Sequence, residues 1–160
     1  MKGNIAKYIP NYYYSKVINI VGHESSHHYH HAFEIYYMQE GECNYFIGNR
    51  SFKVLPGDII LIPSSIIHRT NYNGMAHSRM VINCSNEYIP ESVLERVNSI
   101  GHLYRNNKVQ RQMDEIFAKI ENEYENADVL SSDVLKCYTA ELFFIILRIF
   151  PLKTNKFVRR

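Results

Sequence analysis

Nine residues in the first half of the chain constrain its fold most: Gly22, His28, His30, Glu34 and Gly41, then Gly57, Pro63, Ser65 and His68. Their spacing is G-x5-H-x-H-x3-E-x6-G followed by G-x5-P-x-S-x2-H. Side chains alternate faces along a strand, so residues two or four apart share one face. His28 and His30 therefore share a face. Glu34 and Tyr36 join them if one strand runs unbroken through the segment. A closed β-barrel lets His68, from another strand, meet them at a single point.

The surrounding residues read as short strands with frequent turns. Val17 to Val21 and Phe33 to Met38 are rich in β-branched and aromatic residues. Glu42 to Ile47 and Arg50 to Leu55 flank Gly48-Asn49, a two-residue hairpin turn. Pro56-Gly57-Asp58 forms a tight turn. Ile59 to Ile62 is wholly apolar, as a strand buried on both faces requires. Met80 to Asn83 closes the β region. Many short strands with regular turns predict a barrel or a sandwich.

Beyond Tyr88 the pattern becomes helical. A short helix is expected from Glu91 to about Val97. Val109, Met113, Ile116, Phe117, Ile120 and Tyr124 form one stripe at 3.6-residue spacing. That stripe is either packed within the chain or set across a twofold axis as a dimerisation surface. Ser131 or Ser132 is expected to cap a second helix that Pro151 stops. Its run Leu142 to Leu147 is apolar almost all round and calls for burial on more than one side.

Composition narrows the options. With 160 residues there is enough chain for one domain, or for a small barrel with a helical annex. A net charge of +2 is too weak to mark a nucleic-acid surface. Three widely spaced cysteines, Cys43, Cys84 and Cys137, suit neither a disulfide framework nor a zinc ribbon, which favours a reducing cytoplasm. No apolar run is long enough to span a bilayer.

Imidazole nitrogen and carboxylate oxygen are ligands for Zn, Ni, Mn or Fe. His28, His30, Glu34 and His68 form a candidate metal site, with open positions for water or ligand. His27, His28, His30 and His31 also form a tract that would serve equally as a solvated or mutually hydrogen-bonded loop. His27 and His31 have the opposite parity and are expected to point outward; His23 and His77 read as surface residues. No second motif supplies a general base, so no catalytic residue is assigned and the chain is expected not to be an enzyme. Tyr36 and Tyr45 would line a barrel mouth beside His28, His30, Glu34 and His68 as a small-molecule site, or serve as packing. Tyr8, Tyr12, Tyr13 and Tyr14 read either as an arm over the barrel or as an apolar cover.

Eight of the nine motif positions agree with the cupin pattern. Ser65 stands where cupins usually have glycine, and Tyr72 where an asparagine often ends the second piece. The longer text HYHHAFEIYYMQEGECNYFIGNRSFKVLPGDIILIPSSIIHRT, followed by VQRQMDEIFAKIENEY and ELFFIILRIF, resembles the N-terminal ligand-sensing domain of AraC-family transcription regulators. The resemblance covers about residues 17–150. It implies a mainly β fold: a cupin double-stranded β-helix, or jelly-roll barrel, followed by an α-helical hairpin. It further implies a small polar, sugar-like effector in the barrel, a homodimer, and DNA binding through a C-terminal helix-turn-helix domain not seen in this text. Residues 1–88 would be the barrel with its N-terminal arm, 89–152 the helical dimerisation segment, and 153–160 the start of a linker. The alternative is a metal-dependent cupin enzyme of isomerase or oxygenase type.

Overall fold

The computed structural model describes residues 4–96, 102–105 and 107–149. After a one-turn helix α1 (Ile5–Tyr8), seven strands follow: β1 (Tyr12–Val21), β2 (Phe33–Glu40), β3 (Cys43–Ile47), β4 (Arg50–Val54), β5 (Ile59–Ile62), β6 (His68–Asn71) and β7 (Ala76–Cys84). Then come α2 (Glu91–Leu94), a two-residue β8 (Leu103–Tyr104), α3 (Gln110–Glu125) and α4 (Ser131–Ile149). The strands pair antiparallel in two sheets, ordered β1-β7-β2-β5-β8 and β4-β3-β6. This is the expected β-barrel with a helical hairpin behind it.

The larger sheet is apolar on both faces, and that places it between the smaller sheet and the helices. On its inner face Tyr36, Met38, Ile60, Ile62 and Val81 meet Tyr45, Ile47 and Val54 of the smaller sheet. On its outer face Phe33, Ile35, Tyr37, Ile59 and Leu61 meet α3 and α4. Strand β5 is buried at all four positions, as its unbroken apolar run predicts. The hairpin turns at Gly48, whose φ of +57° suits glycine. At Gly41 (φ +79°) an added Cβ would lie 2.6 Å from the Ala76 carbonyl oxygen, so no other residue fits without a backbone shift.

Several expectations change. The Val109, Met113, Ile116, Phe117 and Ile120 stripe is buried against the sheet within one chain. Tyr124 packs beside Tyr14, ring centres 5.9 Å apart. The stripe is therefore not free to form a dimer surface; the outer face of the sheet needs it as cover. Tyr12 and Tyr14 join the same layer, with the Tyr12 and Thr139 hydroxyls 3.0 Å apart, so they are cover and not a barrel arm. Tyr13, of opposite parity, is 71% exposed. His77 is buried rather than superficial, stacked on Tyr72 at 3.6 Å. Ser131 does not act as a simple cap: its hydroxyl donates to Glu123 and accepts the Asp128 N–H. Strand β1 begins five residues earlier than read, at Tyr12. Phe144 on α4 is 44% exposed, so the apolar end of that helix is not covered all round. Helix α2 ends at Leu94; Val97 and Pro151 lie outside the described residues.

Candidate functional site

The strand read through His28 and Glu34 is not continuous. β2 starts only at Phe33, and residues 22–32 run as an extended segment along β6, joined to it by isolated bridges Glu24–Asn71 and His28–His68. The histidines converge nonetheless, because backbone pairing replaces strand continuity. The His28 N–H donates to the His68 carbonyl at 3.1 Å and the His68 N–H returns the bond at 2.9 Å. Directly paired residues present side chains on one face, so the two rings meet with centres 4.3 Å apart. The Ser65 N–H donates to the His30 carbonyl at 2.8 Å and ties down the next residue of the motif. Ser65 itself sits at φ +66°, the left-handed conformation of the glycine usual at that position.

His28, His30 and His68 each bring one ring nitrogen within 4.8 Å of the others. Glu34 lies against them from the first inward position of β2. Its Oε2 is 3.0 Å from His30 Nε2 and 3.5 Å from His68 Nε2, and its Oε1 accepts from the Tyr45 hydroxyl. Burial opposes ionisation of Glu34, but these three neighbours outweigh it and hold the carboxyl well below the usual range. The same contact raises His30 above its ordinary value. Burial and the Glu34 charge push the Tyr45 phenol well up, so Tyr45 is a donor only.

The cluster opens into a barrel cavity of about 270 Å³, whose lining includes His28, Glu34, Tyr36, Tyr45, Tyr72 and Arg79. Tyr36 and Tyr45 are both buried, rings edge to face at 5.3 Å, and the Tyr36 hydroxyl lies 3.0 Å from that of Tyr72. Tyr72 thus fills the position of the missing asparagine from inside the barrel. Gly22 makes room for it, since a Cβ there would come within 2.6 Å of the Tyr72 ring. A larger groove of about 940 Å³ runs along the N-terminal segment past His30 and shares Asn83 with the cavity. It holds neither Glu34 nor His28, both of which line the smaller space, while His30 lines only the groove and His68 lines neither.

The profile of the AraC-like ligand binding domain matches residues 19–135. The chain belongs to that family. The matched span holds all four cluster residues and ends just past the first turn of α4. No curated protein sequence matches the chain. Solved structures similar to this AraC-like domain include an RmlC-like cupin from Shewanella frigidimarina (18% identity, 46% of this chain and 66% of that one, TM-score 0.42). They also include a DMSP lyase from Ruegeria pomeroyi (25%, 48% and 39%, TM-score 0.42) and an oxalate decarboxylase variant from Bacillus subtilis (19%, 55% and 28%, TM-score 0.41). The chain spans no more than two thirds of each of these proteins.

The AraC-like barrel fits a divalent metal. The Nδ1 atoms of His28, His30 and His68 lie 2.9, 2.9 and 2.8 Å from the carbonyls of Ser26, Ala32 and Ile66. Each Nδ1 therefore holds a proton, which leaves the Nε2 lone pairs of His28 and His68 for a metal, while His30 would give up the Nε2 proton that it donates to Glu34. His68 Nε2 is buried without a hydrogen-bond partner, its nearest carboxylate oxygen being Glu34 Oε2 at 3.5 Å. The three nitrogens lie within 4.8 Å of one another, a spread that small side-chain movements would close around a divalent ion. His28, His30 and His68 would hold such an ion, with Glu34 beside them but outside the converging set, and it would supply a Lewis acid at the cluster.

His27 and His31 point away from the cluster, as parity predicts; His27 Nε2 accepts from Arg69. Sequence reasoning missed Arg79 and Asn83. Both share the parity of inward-facing Val81 on β7, and that alternation was the available signal. Among the described residues no helix is long and apolar enough to cross a membrane.

Proposed function

We propose that this chain is the effector-sensing domain of an AraC-type transcription regulator and not an enzyme. A small polar metabolite bearing hydroxyls enters the barrel and binds among His28, His30, Glu34, His68, Tyr36 and Tyr45. The reading rests on one observation: a cavity of about 270 Å³ lined by a buried carboxylate and hydrogen-bonding side chains, inside a domain of the sensing family.

Residues 1–88 form the sensing unit and 89–152 the helical unit. β2 belongs to both layers: Glu34 and Tyr36 face the cavity, while Ile35 and Tyr37 face α3. Tyr37 stacks on Phe117 at 5.0 Å and donates to Asp114 at 2.6 Å. A ligand that shifts β2 therefore bears directly on the helices, as coupling between distinct sites requires. In the cytoplasm the regulator acts as a homodimer, through surfaces other than the buried α3 stripe. A helix-turn-helix domain outside the described residues contacts DNA.

The histidine cluster favours a second reading, a metal-dependent cupin enzyme. Elemental analysis of protein purified without added ions separates the two. Stoichiometric metal that disappears in His28→Ala and His68→Ala, together with turnover of a small substrate, would replace the sensor reading. The sensor reading is tested by a thermal-shift screen of sugars and small organic acids, since a ligand of the folded state raises the melting temperature. Shifts that survive filling of the barrel by Val81→Trp would refute it.

A further inference from the structure

Arg79 stands on the inward face of β7, opposite Met38 of β2 and Val17 of β1, and lines the barrel cavity. Its Nη1 is 3.4 Å from the Ser15 hydroxyl. Among the described residues no carboxylate forms an ion pair with it. The one carboxylate in the cavity, Glu34, is already engaged by His30, His68 and Tyr45. Arg79 therefore has no carboxylate of its own in the cavity. A partly desolvated guanidinium without an anion is costly, and a bidentate carboxylate is its best geometric partner.

Four residues further along the same face lies Asn83, opposite Glu34 and Tyr13. Its Oδ1 is buried and has no hydrogen-bond partner. An unpaired buried amide oxygen calls for a donor from outside the protein. The two positions are about 13 Å apart along the strand, and the long arginine side chain shortens the span a ligand must bridge. The hydroxyls of Ser25 and Thr70 border the same space.

We infer that the barrel's effector is a small hydroxy-carboxylate, such as a sugar acid, and not a neutral sugar. Its carboxylate pairs with Arg79, and a hydroxyl donates to Asn83. This rests on the reading of the barrel as the effector site and narrows the ligand class. A neutral sugar would satisfy Asn83 but leave the guanidinium unpaired.

The test is a thermal-shift series at constant ionic strength with a chelator present, so that acids cannot act by binding metal. D-galacturonate, D-gluconate and L-malate are compared with D-galactose and glycerol. At least one acid should raise the melting temperature by about 5 °C at a hundred times its Kd, and the neutral compounds should not. Arg79→Gln should weaken the acid's binding about tenfold to a hundredfold, and Arg79→Lys should retain part of it. Circular dichroism confirms that each variant is folded, and Val81→Phe replaces Val81→Trp if the larger residue is not tolerated. No shift with any acid, an equal shift with galactose, or an unchanged response in Arg79→Gln would overturn the acid assignment while leaving the barrel reading intact. An acid response that persists when Val81 is enlarged would instead place the ligand outside the barrel and remove both.

Discussion

The hydroxyl of Tyr45, on β3, donates to Oε1 of Glu34, on β2, and so ties the two sheets of the barrel together at the floor of the histidine cluster. Both groups are buried. Tyr45→Phe keeps the ring packing but removes one of the donors that hold the carboxylate ionised. The expected loss is about 1–3 kcal/mol, measured by urea denaturation. A change within error would mean that the bond contributes nothing net.

The Glu34–His30 pair sets a pH window. Glu34 is depressed in the folded state, so its contribution is complete above its ordinary value of 4.5 and is lost as the pH falls below that. His30 is raised, so its contribution is complete below 6.5 and is lost as the pH rises through the folded value. Metal-free protein should therefore be most stable between about pH 4.5 and 6.5 as far as this pair is concerned. Urea midpoints for the parent and Glu34→Gln across this range check it: the substitution should flatten both flanks. Parallel curves would show that other groups set the dependence.

Phe117 is fully buried and stacks on Tyr37 at an interplanar angle of 15°. Because this stripe covers the chain's own sheet, Phe117→Ala should cost about 3–5 kcal/mol of folding stability. The same variant tests the helix face for association. Sedimentation showing stable monomers in place of dimers, with the melting temperature unchanged, would restore the stripe as a dimer surface.

Ser65 holds φ at +66°, and its side chain makes only weak, exposed contacts at 3.3 and 3.4 Å. Glycine relieves roughly 1–2 kcal/mol of left-handed strain and gives back about 0.5–1 kcal/mol in unfolded-chain entropy. Ser65→Gly should stabilise the protein by about 0.5–1 kcal/mol, read from its chemical denaturation midpoint. Destabilisation would show that the hydroxyl matters more than the backbone strain.

The barrel could be read from the chain because its signals are local. Alternation pointed Glu34 and Tyr36 inward, the Gly48 turn paired β3 with β4, and the unbroken run of β5 foretold two covered faces. The helical stripe from Val109 was equally plain. Its partner was not, since an apolar face records the need for burial and not what supplies it.

Residue spacing alone pointed to three imidazoles and a carboxylate that could meet, on the premise of one unbroken strand through His28 and Glu34. Tertiary structure settled how they meet: His28 reaches the cluster by pairing with His68 rather than by continuing β2. It also settled that His77 is buried, that the α3 stripe is consumed within the chain, that Arg79 reaches the cavity without a carboxylate partner, and that Asn83 Oδ1 is unpartnered there. These depend on which strand lies beside which, and such long-range pairings are set by the summed packing of the whole barrel, which no short stretch of residues encodes.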